Sequence, residues 1–153
     1  ESGWKHLPID LHRDLRFLLI IPPYSLETSR SRGALPAKVP FKEAVAQARK
    51  VPVLLEGLKT LAPDLLAEGL ADRLHMPARL RLLAGAEPII ATANQAGALG
   101  ATLSGAGSGI LVLARIGGLR RLEASLQRKV RRLWGKEGRV VLTRPRAQGA
   151  TFL

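Results

Sequence analysis

The residues best placed to do chemistry lie in one run. Gly97-Ala-Leu-Gly-Ala-Thr-Leu-Ser104-Gly105-Ala106-Gly107-Ser108-Gly109 passes directly into the apolar Ile110-Leu-Val-Leu-Ala114. Alternate glycines from Gly105 to Gly109 leave the outer face of a strand reversal without Cβ atoms. Backbone N–H groups can then approach a bound group closely, as an anion-cradling loop requires. A tight hairpin that uses its glycines only for positive φ fits the same residues. The run meets neither stricter fingerprint: the Walker A pattern is absent, and a dinucleotide G-x-G-x-x-G would need glycine where Ile110 stands.

Other chemistry-bearing groups are sparse. The histidines are His6, His12 and His75, and none has another at i+3 or i+4, so their spacing builds no metal site. His75 follows Asp72 and Arg73. That set suits a polar network or a helix end as well as an approach to a ligand. Nothing in the sequence puts a histidine beside Ser104, so no Ser/His/Asp arrangement can be argued. Glu43, Glu56, Asp64 and Glu68 have no spacing for paired-carboxylate work.

The elements that must position these groups follow from periodicity. Leu15 to Ile21 is an apolar run stopped by Pro22-Pro23, the pattern of a buried strand. Ser25 to Pro36 reads as a polar loop with one helical turn. Phe41 to Leu61 reads as a helix disturbed near Pro52, since proline removes a donor and clashes with the preceding turn. Pro63-Asp64 opens a second helix, with Leu65, Leu66, Leu70 and Leu74 along one face, expected to end before Pro77. A third runs from Glu87 to Ala96 and is closed by Gly97. Strands flank the glycine-rich reversal. Leu119, Leu122, Leu126, Val130 and Leu133 then recur at helical spacing, and Arg139 to Thr143 forms a last strand. This order predicts an α+β fold, a ferredoxin-like plait whose antiparallel sheet carries helices on one face.

At 153 residues the chain fits a single domain, 1–153, with a real core. Aromatics are only 4%, so that core must come from Leu, Val, Ile and Ala. The absence of cysteine excludes disulfides and fits a reducing, cytoplasmic setting. No apolar run approaches the ~18 residues of a membrane span, so no membrane partner is expected. The net charge is +12, and Arg115 to Arg146 holds eleven Lys or Arg against Glu123 and Glu137, or +9. Such a patch is a solvated helix face, a ligand-steering surface, half of a surface whose acidic complement lies elsewhere, or a nucleic-acid contact. The segment lacks interleaved aromatics for base stacking, which argues against nucleic acid.

Three segments together resemble the homoserine kinases, a family within the galacto-, homoserine, mevalonate and phosphomevalonate kinase superfamily. Thr28-Ser-Arg-Ser-Arg32-Gly-Ala-Leu-Pro36 is similar to that family's Ser-Thr-x-x-x-Arg-x-x-Leu-Pro. Asp72-Arg-Leu-His-Met-Pro-Ala-Arg79, followed by Leu82-Leu-Ala-Gly85, is similar to its Asp-x-x-x-x-Pro-Tyr-Arg and the approach to the next helix. Gly97 to Gly109 is similar to its Gly-Ala-x-Gly-x-x-x-Ser-Gly-[AS]-Gly-Pro-[ST]. The chain departs from these patterns at Ser108, where proline is usual, at Ala78, where tyrosine is usual, and at Ser29-Arg30-Ser31, which lacks the usual glutamate.

The resemblance implies transfer of the ATP γ-phosphoryl group to the side-chain hydroxyl of L-homoserine, a step towards threonine, with ATP and Mg²⁺ used by the complete enzyme. It places Thr28 and Arg32 near the amino-acid substrate and gives Arg79 to its carboxylate. Ser104 and Gly105 lie at the floor of the site, offering a hydroxyl and a backbone N–H, within the glycine-rich loop of Gly105, Ala106, Gly107, Ser108 and Gly109. The family's phosphate loop, Pro-x-x-x-Gly-Leu-Gly-Ser-Ser-Ala, does not occur here. The chain therefore reads as the C-terminal, substrate-side half of such a kinase, inactive alone, binding neither ATP nor metal by itself. Its exposed interface predicts association with an N-terminal half or with its own copy. Two other readings use the same architecture: a basic nucleic-acid-binding plait and a regulatory amino-acid-binding module.

Overall fold

The computed structural model describes Gly3 and residues 8–145, so His6 and Arg146 lie outside the described residues. Strand β1 (Leu15–Ile21) is central and pairs antiparallel with β3 (Ile110–Arg115) on one side and β4 (Arg139–Thr143) on the other. Strand β2 (Gly100–Leu103) pairs antiparallel with β3, giving the order β2-β3-β1-β4. That is the plait expected from the element order.

Alternation along the central strands fills two apolar layers. Leu18 and Ile20 of β1 share a face with Ile110, Val112 and Ala114 of β3. Helix α6 (Ala86–Gln95) covers that face through Ala86, Ile89 and Ala93, and α7 (Leu119–Trp134) through Leu122, Leu126 and Val130. The plait's two helices thus sit on one face, as expected. The opposite face also gains cover. Leu15 and Leu113 pack with Leu54, Leu61 and Leu66 from an added helical pair, α3 (Lys50–Thr60) and α4 (Pro63–Leu70), and the turn between them. These helices approach closely because a Cβ on Gly69 would lie 2.6 Å from Leu54 Cα.

The helix expected over 41–61 is divided at Arg49 into α2 (Phe41–Ala48) and α3. The ring of Pro52 opposes the carbonyl four residues earlier, at Ala48, where α2 stops. Inside the first turn of α3 the missing N–H costs little, since that donor has no intrahelical partner. Pro22-Pro23 ends β1, and the helical turn expected in the following loop is α1 (Thr28–Gly33).

One boundary needs correction. Helix α4 ends at Leu70, so Leu74 is not on its face. The Ala71 carbonyl accepts from Lys50 Nζ, which also lies 3.8 Å from Glu68. Asp72 then begins a turn, and its Oδ1 accepts the backbone N–H of Leu74 and of His75, each at 2.8 Å. A separate short helix follows, α5 (Met76–Leu80), too brief for periodicity to reveal.

Candidate functional site

The glycine-rich run closes the β2–β3 hairpin. Leu103 faces Ile110 as the last pair, and Ser104 N–H donates to the Gly109 carbonyl at 2.8 Å. Of the loop's glycines, Gly105 alone has a left-handed backbone, at φ 60°. A Cβ at Gly105 would meet nothing within 4 Å, and one at Gly107 only the Ser104 carbonyl at 3.9 Å. The outer face is therefore open, as the cradle reading requires, while positive φ is needed once. Gly109 instead lies over β1, where a Cβ would stand 3.5 Å from Leu19 Cδ1.

Helix α5 delivers Arg79 to this turn. Its Nη1 donates to the Gly105 carbonyl at 3.3 Å, and its Nε is buried without a hydrogen-bond partner among the described residues. Thr102 on β2 donates from Oγ1 to Met76 Sδ at 3.7 Å, a second link between the hairpin and α5. His75 Nδ1 lies 3.0 Å from Asp72 Oδ2, so His75 serves both as part of a polar network and as the start of α5. Together Asp72, His75, Met76, Arg79, Thr102 and Gly105 line a cavity of about 170 Å³. That is below the ~300–1,000 Å³ usual for an organic ligand site.

The expected site residues separate into three groups. Arg79 and Gly105 come together at the cavity. Ser104, Ala106, Gly107, Ser108 and Gly109 belong to the same hairpin loop but do not line the cavity. Thr28 and Arg32 are exposed on α1 and do not line it either. They leave from the same end of the sheet, because β1 ends at Ile21 and Ile20 pairs with Ile110 beside the loop. Ser31, between them, is fully buried, and its Oγ has no hydrogen-bond partner among the described residues. Thr102 and Met76 escaped the sequence reading. Thr102 offers only its place on a short strand, and Met76 only the residue before a proline.

Among the described residues, no group of three His, Asp or Glu side chains converges on a metal position. Asp72, the cavity's carboxylate, is already held by two backbone N–H groups and by His75. These residues do not by themselves fit a Mg²⁺ site.

Comparison with known proteins gives a consistent result. Residues 54–136, just over half of the chain, match the family described as GHMP kinases C terminal. A homoserine kinase of Prochlorococcus marinus (strain MIT 9515) is 38% identical over 115 residues, which are 75% of this chain and 36% of that protein. One from Persephonella marina is 36% identical over 106 residues, 69% of this chain and 35% of that protein. The chain thus spans a little over a third of the length of these curated relatives.

Solved structures share the fold. A homoserine kinase from Cytophaga hutchinsonii superposes with a TM-score of 0.76 at 24% identity, over 88% of this chain and 42% of that one. A mevalonate kinase from L. major gives 0.65 at 18% identity, over 91% of this chain and 45% of that one. A plait with this strand order, its glycine-rich hairpin bonded to an arginine on a short preceding helix, is thereby placed: the chain belongs to the GHMP kinase C-terminal family.

Proposed function

We propose that this chain is the substrate-side, C-terminal part of a homoserine kinase, which transfers the ATP γ-phosphoryl group to the hydroxyl of L-homoserine on the route to threonine in the cytoplasm. The observation that carries this reading is the Arg79–Gly105 hydrogen bond, which joins two separate family-like segments at one cavity. A guanidinium fork binds a carboxylate through two parallel N–H donors and stays charged at any physiological pH. Arg79 spends one donor on the Gly105 carbonyl and keeps the remainder for the acceptor's carboxylate. In this assignment Thr28 and Arg32 approach the same amino acid from α1, while Ser104 and the Gly105 amide meet it from the hairpin loop beside the cavity.

Phosphoryl transfer depends chiefly on positioning and on stabilising phosphate charge. In this assignment the chain positions the acceptor, and the remainder of the enzyme holds the nucleotide and its Mg²⁺. The chain alone is then inactive and associates with its N-terminal half or with a copy of itself. No helix among the described residues is long and apolar enough to cross a membrane.

The test is homoserine-dependent ADP release, measured for the longest polypeptide of this gene beside the present chain. Activity confined to the longer product supports the assignment. Silence of both, with ATP and Mg²⁺ supplied, rejects homoserine as acceptor.

A further inference from the structure

We propose that the groove between α7 and β4 is a second ligand site, one that binds an oligophosphate independently of the Arg79 cavity. The groove encloses about 440 Å³, within the ~300–1,000 Å³ of small-molecule sites. Val130 and Val140 give it an apolar floor. Its rim carries Gln127, Arg128, Arg131 and Lys136, and among the described residues no acidic side chain lines it.

Local sequence explains the arrangement. Arg128 and Arg131 stand three residues apart, hence on one face of α7. Gly135, at φ 65°, ends the helix and turns the chain back, which brings Lys136 to the same rim. Gly138 lets the start of β4 lie close, since a Cβ there would stand 2.7 Å from Val130 Cγ1.

These cations make no ion pair among the described residues. Among the described residues the ion pairs are Lys50–Glu68 and His75–Asp72, and neither involves α7. Arg128 donates from Nη2 to Ser125 Oγ at 3.2 Å, which orients the guanidinium without cancelling its charge. A second groove across the helix shares Arg128 and adds Lys129 and Arg132, again with no acidic lining residue among the described residues. A phosphate chain crossing Arg128 therefore meets Arg131 and Lys136 on one side and Lys129 and Arg132 on the other.

Helix-dipole complementation accounts for Arg131 and Arg132 in the last turn. It does not account for Arg128 and Lys136 lining one apolar-floored groove. The nearby Trp134 is committed elsewhere, with Nε1 donating to the Ala84 carbonyl at 3.1 Å. Among the described residues no aromatic side chain lines either groove, so the surface favours a phosphate chain over single-stranded nucleic acid.

The experiment is calorimetric titration of inorganic tripolyphosphate into this chain at low and at physiological salt. Saturable binding that weakens with salt is expected. The pair Arg128→Gln/Arg131→Gln should weaken it roughly tenfold or more, through loss of two charge-assisted contacts. The pair Arg120→Gln/Arg121→Gln removes equal charge from exposed positions outside both grooves and should change affinity less than about twofold. All four substitutions are at exposed side chains, and matched thermal melts check that folding is retained. Equal weakening by the two pairs, or no saturable binding, overturns the proposal. An oligonucleotide that binds and is not displaced by tripolyphosphate overturns it in favour of nucleic acid.

Discussion

Arg79 and Gly105, 26 positions apart, are joined by a single hydrogen bond in which the guanidinium Nη1 donates to the glycine carbonyl at 3.3 Å. The bond ties the short helix α5 to the tip of the β2–β3 hairpin. It also fixes one edge of the guanidinium, which limits how the remaining donors can face the cavity. The buried Nε has no hydrogen-bond partner among the described residues, so they do not use up the donors of this side chain.

Replacement of Arg79 by Lys tests that arrangement. A lysine keeps the charge but loses the planar fork and the fixed contact to Gly105. In the longest product of the gene, Arg79→Lys should cost about 2 kcal/mol of acceptor binding, roughly thirtyfold in KM for homoserine. The melting temperature should hardly move. Steady-state kinetics with homoserine varied at saturating ATP provide the check, and an unchanged KM would sink the carboxylate role.

The loop glycines should respond unequally to alanine. Gly105 has the left-handed φ of 60°, and a Cβ there meets no atom within 4 Å, so the cost of Gly105→Ala is backbone strain alone. That strain is worth about 1–2 kcal/mol. Gly107 has no positive φ and its nearest contact would be 3.9 Å away, so Gly107→Ala should stay within about 0.5 kcal/mol of wild type. Urea titrations of the two variants distinguish them; equal losses would mean that the loop is not held in this hairpin conformation.

Much of this was legible in the sequence, for identifiable reasons. Leu15 to Ile21 and Ile110 to Ala114 each place buried residues in both apolar layers, so their largely apolar runs read as central strands. Leu122, Leu126 and Val130 bury one stripe of a sixteen-residue helix, long enough for its period to be plain. What stayed hidden was short or non-local. Five-residue α5 has no period, and the Asp72 turn that separates it from α4 depends on side-chain bonds to backbone. The packing of Leu54 and Leu66 against the second sheet face depends on close helix approach at Gly69, which a local pattern does not encode. The cavity brings Thr102 to Met76 across 26 positions, and neither residue type signals a site by itself.

Gly69→Ala should be the most damaging small change in the helical pair. The new methyl would lie 2.6 Å from Leu54 Cα and 2.8 Å from Leu54 N, and backbone cannot yield as a flexible side chain can. Separation of α3 from α4 would loosen the packing of Leu61 and Leu66. Overpacking of this kind costs about 1–3 kcal/mol, against which alanine's better helix propensity returns up to ~1 kcal/mol. A clear fall in melting temperature is expected, whereas Gly33→Ala, with nothing within 4 Å, should be nearly silent. If the two variants melt alike, the close approach is not present in solution.

Tyr24 provides a pH-dependent readout. Its hydroxyl donates to the Ala84 carbonyl at 2.7 Å, and its ring meets Trp134 edge-on with centroids 6.0 Å apart. Burial pushes the phenol above its usual value of about 10. For an acid whose folded pKa is raised, the linked stability is present below the unfolded pKa and is lost as pH rises through the folded one. Near neutral pH, Tyr24→Phe should cost only about 0.5–1 kcal/mol, because the Ala84 carbonyl keeps the Trp134 Nε1–H donor. Above about pH 10 the wild type should lose stability faster than the variant, so the gap between their melting temperatures narrows. Thermal melts of both proteins from neutral to strongly alkaline pH make the comparison, since the other lysines, arginines and carboxylates contribute equally to each. Parallel curves throughout would mean that the Tyr24 hydroxyl is as solvated in the folded chain as in the unfolded one.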